Sequence, residues 1–338
     1  MLSQNRLRRT LAFLAALVVV VGLIPNLANA QYVITNLVSD QKGKAKHQDK
    51  ALKNAWGMSF FKGGPFWISD NDTALSTFYT GTGKKVGQIT VPPTVTGQVA
   101  NGTNDFVVSQ GGKSGPAAFI FATFEPGTIS GWNPNVNPNA AVVVVPSASA
   151  WYTDLAMGVS KGANFLFGAD NLNNKVDIYD AKFNLVGSFN DPKLTNLTVY
   201  GVQNINGKLY VTFTDNGTFS KGAVDIFDTT GKLIKRLTKN AHLKAPWGIA
   251  VAPKNFGPAS KTLLIGNVTD GRINVFNAKT GAFMSQLKDA KGKVISIDEL
   301  WALAFGQGGG MNGKSNQLFF TAGPNQYADG LFGVINLK

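Results

Sequence analysis

Six segments of the chain end an apolar run in acids or amides. They carry Asp70, Asn71 and Asp72; Asp154; Asp170 and Asn171; Asp215 and Asn216; Asn267 and Asp270; and Asp298 and Glu299. Oxygen donors drawn together from several segments suit a hard cation such as Ca²⁺, which takes six to eight oxygen ligands. Asp70, Asp170, Asp215 and Asp270, from four of the segments, are the candidate ligands. An ion held there could act as a Lewis acid on an ester or lactone carbonyl. The same residue types also build turns without any ligand, because Asp and Asn side chains bond the nearby backbone.

A second chemical feature is the lysine run Lys42, Lys44, Lys46, Lys50 and Lys53. It is a candidate site for an anionic partner such as an acidic glycan or surface polymer. Nucleic acid is not the expected partner. Only Arg236 and Arg272 remain beyond the first ten residues, and base and phosphate recognition favours arginine. The absence of cysteine excludes disulfides, thiolate metal sites and cysteine nucleophiles. His47 and His242 are the only histidines; both sit in polar segments and are expected at the surface rather than as general bases. No Gly-x-Ser-x-Gly elbow is present. Gly306-Gln307-Gly308-Gly309-Gly310 lacks the Lys-Ser/Thr of a phosphate loop.

These residues need elements to position them, and the first thirty residues are not among those elements. Arg6, Arg8 and Arg9 precede an apolar run from Leu11 to Ile24, and Ala28-Asn29-Ala30 offers a small-x-small cleavage site. That pattern predicts a secretory signal peptide over residues 1–30 and a mature domain over 31–338. The run is shorter than the roughly 20 residues that cross a bilayer. Cleavage would lower the formal net charge from +13 to about +10. The protein is therefore expected in the periplasm or outside the cell, as a monomer without a later membrane span.

The remaining chain repeats itself. A strand ending in an aromatic recurs as Ser76–Tyr79, Lys175–Tyr179, Ala223–Phe227 and Arg272–Phe276, more faintly as Thr128–Trp132. A polar turn follows, and an apolar residue stands six positions beyond it: Ile89, Phe189, Leu237 and Leu287. Upstream lies an apolar strand in each unit, such as Phe66–Ser69, Phe165–Gly168 and Leu318–Thr321. Before that comes a strand alternating large and small residues, seen in Trp56-Gly57-Met58, Trp247-Gly248-Ile249 and Trp301-Ala302-Leu303. Such alternation suits an inner strand packed near an axis. Four strands in each of six units predict an all-β, six-bladed β-propeller. The sixth unit stops one strand short, so Tyr32–Val38 is expected to close the ring as its outer strand. Trp56, Trp247 and Trp301 share one position and are expected to pack between units. Trp132 and Trp151 depart from the repeat and are expected to be more exposed, as a sugar-stacking residue would be.

Asn54-Ala55-Trp56-Gly57-Met58, Pro65–Asn71, Gly127–Pro134, Ala245–Ala250 and Leu300–Gly306, with the closing Leu318–Pro324, resemble an uncharacterised family of secreted bacterial proteins. That family is related to NHL-repeat propellers, and some members carry a C-terminal PEP-CTERM sorting signal, which is not found before Lys338. The resemblance implies the propeller fold and export, and no particular activity. The expected function is a binding module for a protein, glycan or anionic polymer outside the cytoplasm. The alternative is a Ca²⁺-dependent hydrolase like propellers of the gluconolactonase and paraoxonase type, with its site at the channel mouth.

Overall fold

The computed structural model describes residues 32–338. The signal peptide expected over residues 1–30 lies outside the described residues. Strands make up nearly all the regular structure, and the only helical segment among the described residues is the short 3-10 turn Gly257–Ala259. No helix among the described residues is long and apolar enough to cross a membrane.

The strands form six small antiparallel sheets whose inner strands neighbour one another in order, with the last against the first. Blade 1 comprises Ala55–Ser59, Phe66–Asp70, Leu75–Tyr79 and Lys85–Thr90. Blade 3 runs from Tyr152–Ser160 to Leu185–Phe189, blade 4 from Thr198–Ile205 to Leu233–Lys239, and blade 5 from Pro246–Val251 to Phe283–Gln286. Blade 2 starts at Val95–Ala100 and ends at Val142–Val145. It also carries an extra hairpin, Val107–Gln110 with Lys113–Pro116, between its first two strands.

Blade 6 consists of Leu300–Phe305, Leu318–Ala322 and Leu331–Leu337, completed by Tyr32–Ser39 running antiparallel to the last. The expected closure is therefore present. A two-residue strand, His47–Gln48, adds to its outer edge in parallel. Closure gives the sixth blade the four strands that the others have, with His47–Gln48 as a fifth at its outer edge.

The second strand of each blade is buried on both faces, which explains its unbroken apolar sequence; Phe66–Asp70, Phe119–Thr123 and Leu263–Asn267 are buried throughout. The inner strands follow a rule not evident before the fold is known. Each shifts register once against its neighbour, as at Ala55/Met58, Tyr152/Asp154, Val199/Gly201 and Leu300/Leu303. The bulge presents a large residue and then a small one at the axis. The large positions are Trp56, Thr96, Thr153, Tyr200, Trp247 and Trp301; the small ones are Gly57, Gly97, Gly201, Gly248 and Ala302, with Asp154 in blade 3.

Crowding explains the glycines. A Cβ on Gly97 would run into the backbone of Asp154 and Leu155 in the next blade, and one on Gly248 into Trp301 and Leu303. Gly97→Ala is expected to cost about 1–3 kcal/mol, because the obstruction is backbone and cannot swing away. Urea unfolding should show a lower midpoint at unchanged slope. An unchanged midpoint would mean that the inner ring has room to spare.

Side chains also tie the inner strands to other blades. Thr96 Oγ1 donates to Tyr152 O at 2.5 Å, and Thr321 Oγ1 to Trp56 O at 2.5 Å. Gln203 Oε1 accepts from Ile249 N at 3.0 Å, and Trp247 Nε1 donates to Thr153 O at 3.2 Å. These bonds satisfy backbone groups that the unpaired inner edge of each blade would otherwise leave open.

Candidate functional site

The starts of the inner strands and the loops after the second strands surround one mouth of the central channel. An aromatic-lined pocket of about 420 Å³ occupies that mouth, within the usual size range of small-molecule sites. Its floor is Trp56 stacked on Trp301, with centroids 3.7 Å apart and planes 15° from parallel. Trp247 meets Trp301 edge-on from below, at 5.9 Å, and helps plug the axis. Bulges in three different blades place these rings together.

The walls come from loops. Trp151, at the start of blade 3, stacks on Phe124 of blade 2 at 5.0 Å. Tyr200 and Phe219 of blade 4 pack 5.9 Å apart, and Tyr327 of blade 6 leans on Trp301 at 5.8 Å. Asn54, Asn171 and Asn216 supply the polar part of the lining, and no charged side chain lines the pocket.

Some of the polar groups are consumed by the fold. Asn54 Oδ1 accepts from Trp301 Nε1 at 3.1 Å, and its Nδ2 donates to Asn71 Oδ1 at 3.2 Å. Asn171 Nδ2 donates to Val199 O at 2.8 Å, fastening blade 3 to blade 4. Others remain free: Trp56 is 8% exposed, yet its Nε1 has no partner among the described residues. Burial pushes the Tyr200 phenol well above its usual range, with nearby Tyr327 adding to the shift, so it stays a neutral O–H. The mouth is thus a set of flat apolar faces with a few neutral hydrogen-bonding groups.

The aspartates read as candidate ligands do not meet. Among the described residues no three His, Cys, Asp or Glu side chains are grouped so as to hold a metal ion. Asp70 is buried at the end of its strand, where Oδ2 accepts from Thr77 N at 3.0 Å; burial pushes its carboxyl well up. Asp170 is raised by burial too, against bonds from Asn173 and from Trp151 N. Asp215 closes its own exposed turn; burial works upward on it, but bonds from Thr218, Lys221 N and Ser220 hold it below the ordinary range. Asp270 is tied to Asn267 at 2.9 Å and faces Lys244 and Arg272. Each serves the turn of its own blade, the chemistry expected of Asp in short connections. The convergence that the hydrolase alternative needs is not found among them. Asp154, expected in a loop, instead lies within the inner strand Tyr152–Ser160.

The lysines divide. Lys53 pairs with buried Asp40 at 3.0 Å and donates to Ala328 O. Lys42, Lys44, Lys46 and Lys50 are exposed on the loop that joins the closing strand to blade 1, and none forms an ion pair among the described residues. Lys44 and Lys46 border a groove of about 760 Å³ beside blade 6. His47 and His242 are exposed, and His242 stacks on Phe283 at 3.8 Å. Trp151 is the sequence-singled tryptophan that does reach the mouth; Trp132 packs against Trp67 in the outer part of blade 2. Phe124, Phe219 and Tyr327 carry no repeat signal, and nothing in the sequence alone singles them out.

No family model matches the chain. Two uncharacterised proteins of Acanthamoeba polyphaga mimivirus are 28% and 27% identical to it; each match covers 92% of this chain, and 82% and 87% of the relatives. A third from the same virus is 30% identical over 58% of this chain and 39% of its own length. These are viral proteins, so they lend no support to the bacterial source and sorting signal implied by the resemblance. Among solved structures, virginiamycin B lyase from Staphylococcus aureus superposes with a TM-score of 0.53 at 13% identity, covering 91% of this chain and 100% of the lyase. Kuenenia stuttgartiensis hydrazine synthase gives 0.52 at 14% identity, over 84% of this chain and 77% of that one. At such identities the likeness is one of fold.

Proposed function

We propose that the protein is an extracytoplasmic binding propeller whose aromatic mouth takes a sugar ring of a glycan. The observation that carries this reading is the arrangement of Trp56, Trp301, Trp151, Phe124, Tyr200 and Tyr327 about one uncharged pocket. A pyranose offers apolar C–H faces to stack on aromatic rings and hydroxyls to bond neutral donors and acceptors. Trp56 Nε1, the Tyr200 hydroxyl and the Asn216 amide N–H supply those partners without the desolvation cost of a charged group.

Titration with a panel of neutral oligosaccharides should quench tryptophan fluorescence saturably. Trp151→Ala is expected to weaken binding about tenfold, since stacking and hot-spot aromatics at a pocket wall are typically worth more than 1 kcal/mol. Trp151 is half-buried and outside the tryptophan plug, so the variant should keep its fold. A panel without a binder, or a variant that binds as tightly as the parent, would overturn the reading. Export belongs to the same proposal and rests on the leader expected over residues 1–30; an N-terminus at Gln31 found by sequencing the mature protein would support it.

The exposed lysines favour a second contact with an anionic stretch of such a polymer. Reversing Lys44 and Lys46 to glutamate should weaken binding to a sulfated or uronic glycan and flatten its salt dependence. Binding of a neutral oligosaccharide should stay as it was.

A further inference from the structure

Beneath the tryptophan plug, at the opposite end of the channel, lies a second cavity of about 360 Å³. Later residues of the inner strands line it, and its wall is chemically unlike the mouth. Asp154 is the only residue of charged type in the lining.

Gln98 and Gln203, two of the three glutamines in the lining, present amide ends that the fold fixes. Gln98 is 4% exposed, and its Nε2 donates to Gly57 O at 3.0 Å and to Trp67 O at 2.9 Å. Those two carbonyls fix which end of the amide is oxygen, and that Oε1 is buried without a partner. The hydroxyl of Ser59, in the same lining, is also buried and unpartnered. Gln203 is held the other way round: its Oε1 accepts from Ile249 N at 3.0 Å, which leaves Nε2 as the free end. Asp154 stands where five other blades have glycine or alanine. Its two oxygens accept from Leu155 N at 2.9 Å and Val202 N at 3.1 Å, and it forms no ion pair among the described residues. Backbone donors thus occupy both oxygens, and burial pushes that carboxyl well above its usual range.

Buried polar atoms without protein partners are uncommon and are normally met by water or a ligand. Here an acceptor and a donor of fixed identity and a hydroxyl line one cavity that has no basic side chain in its wall.

We propose that this lower cavity is a second binding site, for an uncharged carboxamide group. The ligand's N–H donates to Gln98 Oε1, and its carbonyl accepts from Gln203 Nε2. The Ser59 hydroxyl serves either partner. A carboxylate would face Asp154 and the Gln98 oxygen without a counter-charge; an ammonium would find the Asp154 oxygens already taken by Leu155 N and Val202 N. The site does not depend on the glycan reading of the mouth.

The test uses propionamide, propionate and propylammonium, which share shape and differ in charge. Saturation-transfer NMR with residues 31–338 should detect propionamide alone. Gln203→Glu keeps the acceptor for Ile249 N and removes the donor, so it should raise the propionamide dissociation constant about fivefold, the worth of one hydrogen bond. Ser59→Ala is a second, smaller change that should weaken binding if the glutamate variant folds poorly. Trp151→Ala, at the mouth, should leave propionamide binding unchanged. Equal binding of all three probes, no propionamide signal, or undiminished binding in folded Gln203→Glu and Ser59→Ala proteins would overturn the proposal.

Discussion

Replacing Arg236 with alanine is expected to destabilise the protein by about 3 kcal/mol, the low end of the range for breaking a buried ion pair. The guanidinium sits between two carboxylates: Nη2 meets Asp191, on the connection from blade 3 to blade 4, and Nε donates to Asp225 Oδ1 of blade 4 at 3.3 Å. The side chains of Asp191 and Asp225 are 1% and 0% exposed, so without the arginine two acids would share a dry site. The arginine itself is 32% exposed, and solvent screening keeps the effect toward the lower figure.

The pH dependence identifies the cause. Burial, reinforced by neighbouring Asp191, pushes Asp225 up to about 7. Burial acts upward on Asp191 as well, but its bonds to Asp225, Lys193 N and Arg236 hold it below the ordinary value. A carboxyl raised in the folded state binds its proton more tightly there than in the unfolded chain. Its contribution is therefore whole below about pH 4 and is lost as pH rises through about 7. Arg236 offsets that loss, so the alanine variant should fall furthest behind at high pH. Urea unfolding at pH 5 and pH 8 measures this, with the larger gap expected at pH 8. A gap under about 1 kcal/mol at both values would mean that the arginine acts as an ordinary surface ion pair.

A larger effect is expected from removing the closing strand. A chain that begins at Asp40 should show no cooperative unfolding transition and should self-associate. Tyr32–Ser39 pairs along its length with Leu331–Leu337, and it buries Tyr32, Leu37 and Val38. Tyr32 also reaches blade 5: its hydroxyl donates to Phe256 O at 2.7 Å and accepts from Ala259 N at 3.3 Å. Burying three large side chains contributes roughly 4.5–9 kcal/mol at 1.5–3 kcal/mol each. A typical domain has only about 5–15 kcal/mol in all. Without the strand, Leu331–Leu337 becomes an open edge, a template for pairing with another chain. A synthetic peptide of residues 32–39 added in trans should restore a thermal transition and reduce association. A shortened chain that melts within a few degrees of the parent would show that the ring holds without closure.

How much of this was legible beforehand depends on the strand. The second and third strands of the blades stood out because burial on both faces forces repeated apolar and aromatic residues, as in Phe165–Gly168 and Lys175–Tyr179. The inner strands of blades 2, 3 and 4 were hidden. Their axis positions hold Thr96, Thr153 and Tyr200 instead of the tryptophan that marks blades 1, 5 and 6. The hairpin Val107–Pro116 belongs to one blade and has no repeat to announce it. Asp154 looks like a loop acid beside Asp170 and Asp215, because the bulge that draws it into the inner ring is a pairing event and leaves no local mark.

The amino-acid sequence by itself determined the blade count, the strand order and the closure of the ring. Those properties repeat along the chain and follow from hydrophobic period and turn chemistry. Tertiary structure decided where chemistry can occur. The rings at the mouth come from Trp56, Phe124, Trp151, Tyr200, Phe219, Trp301 and Tyr327, residues of five blades that only closure of the ring brings together. It also separated the aspartates, because each is held by the turn of its own blade. Spacing along a chain records local periodicity, whereas contact across an axis depends on how every blade packs on the next.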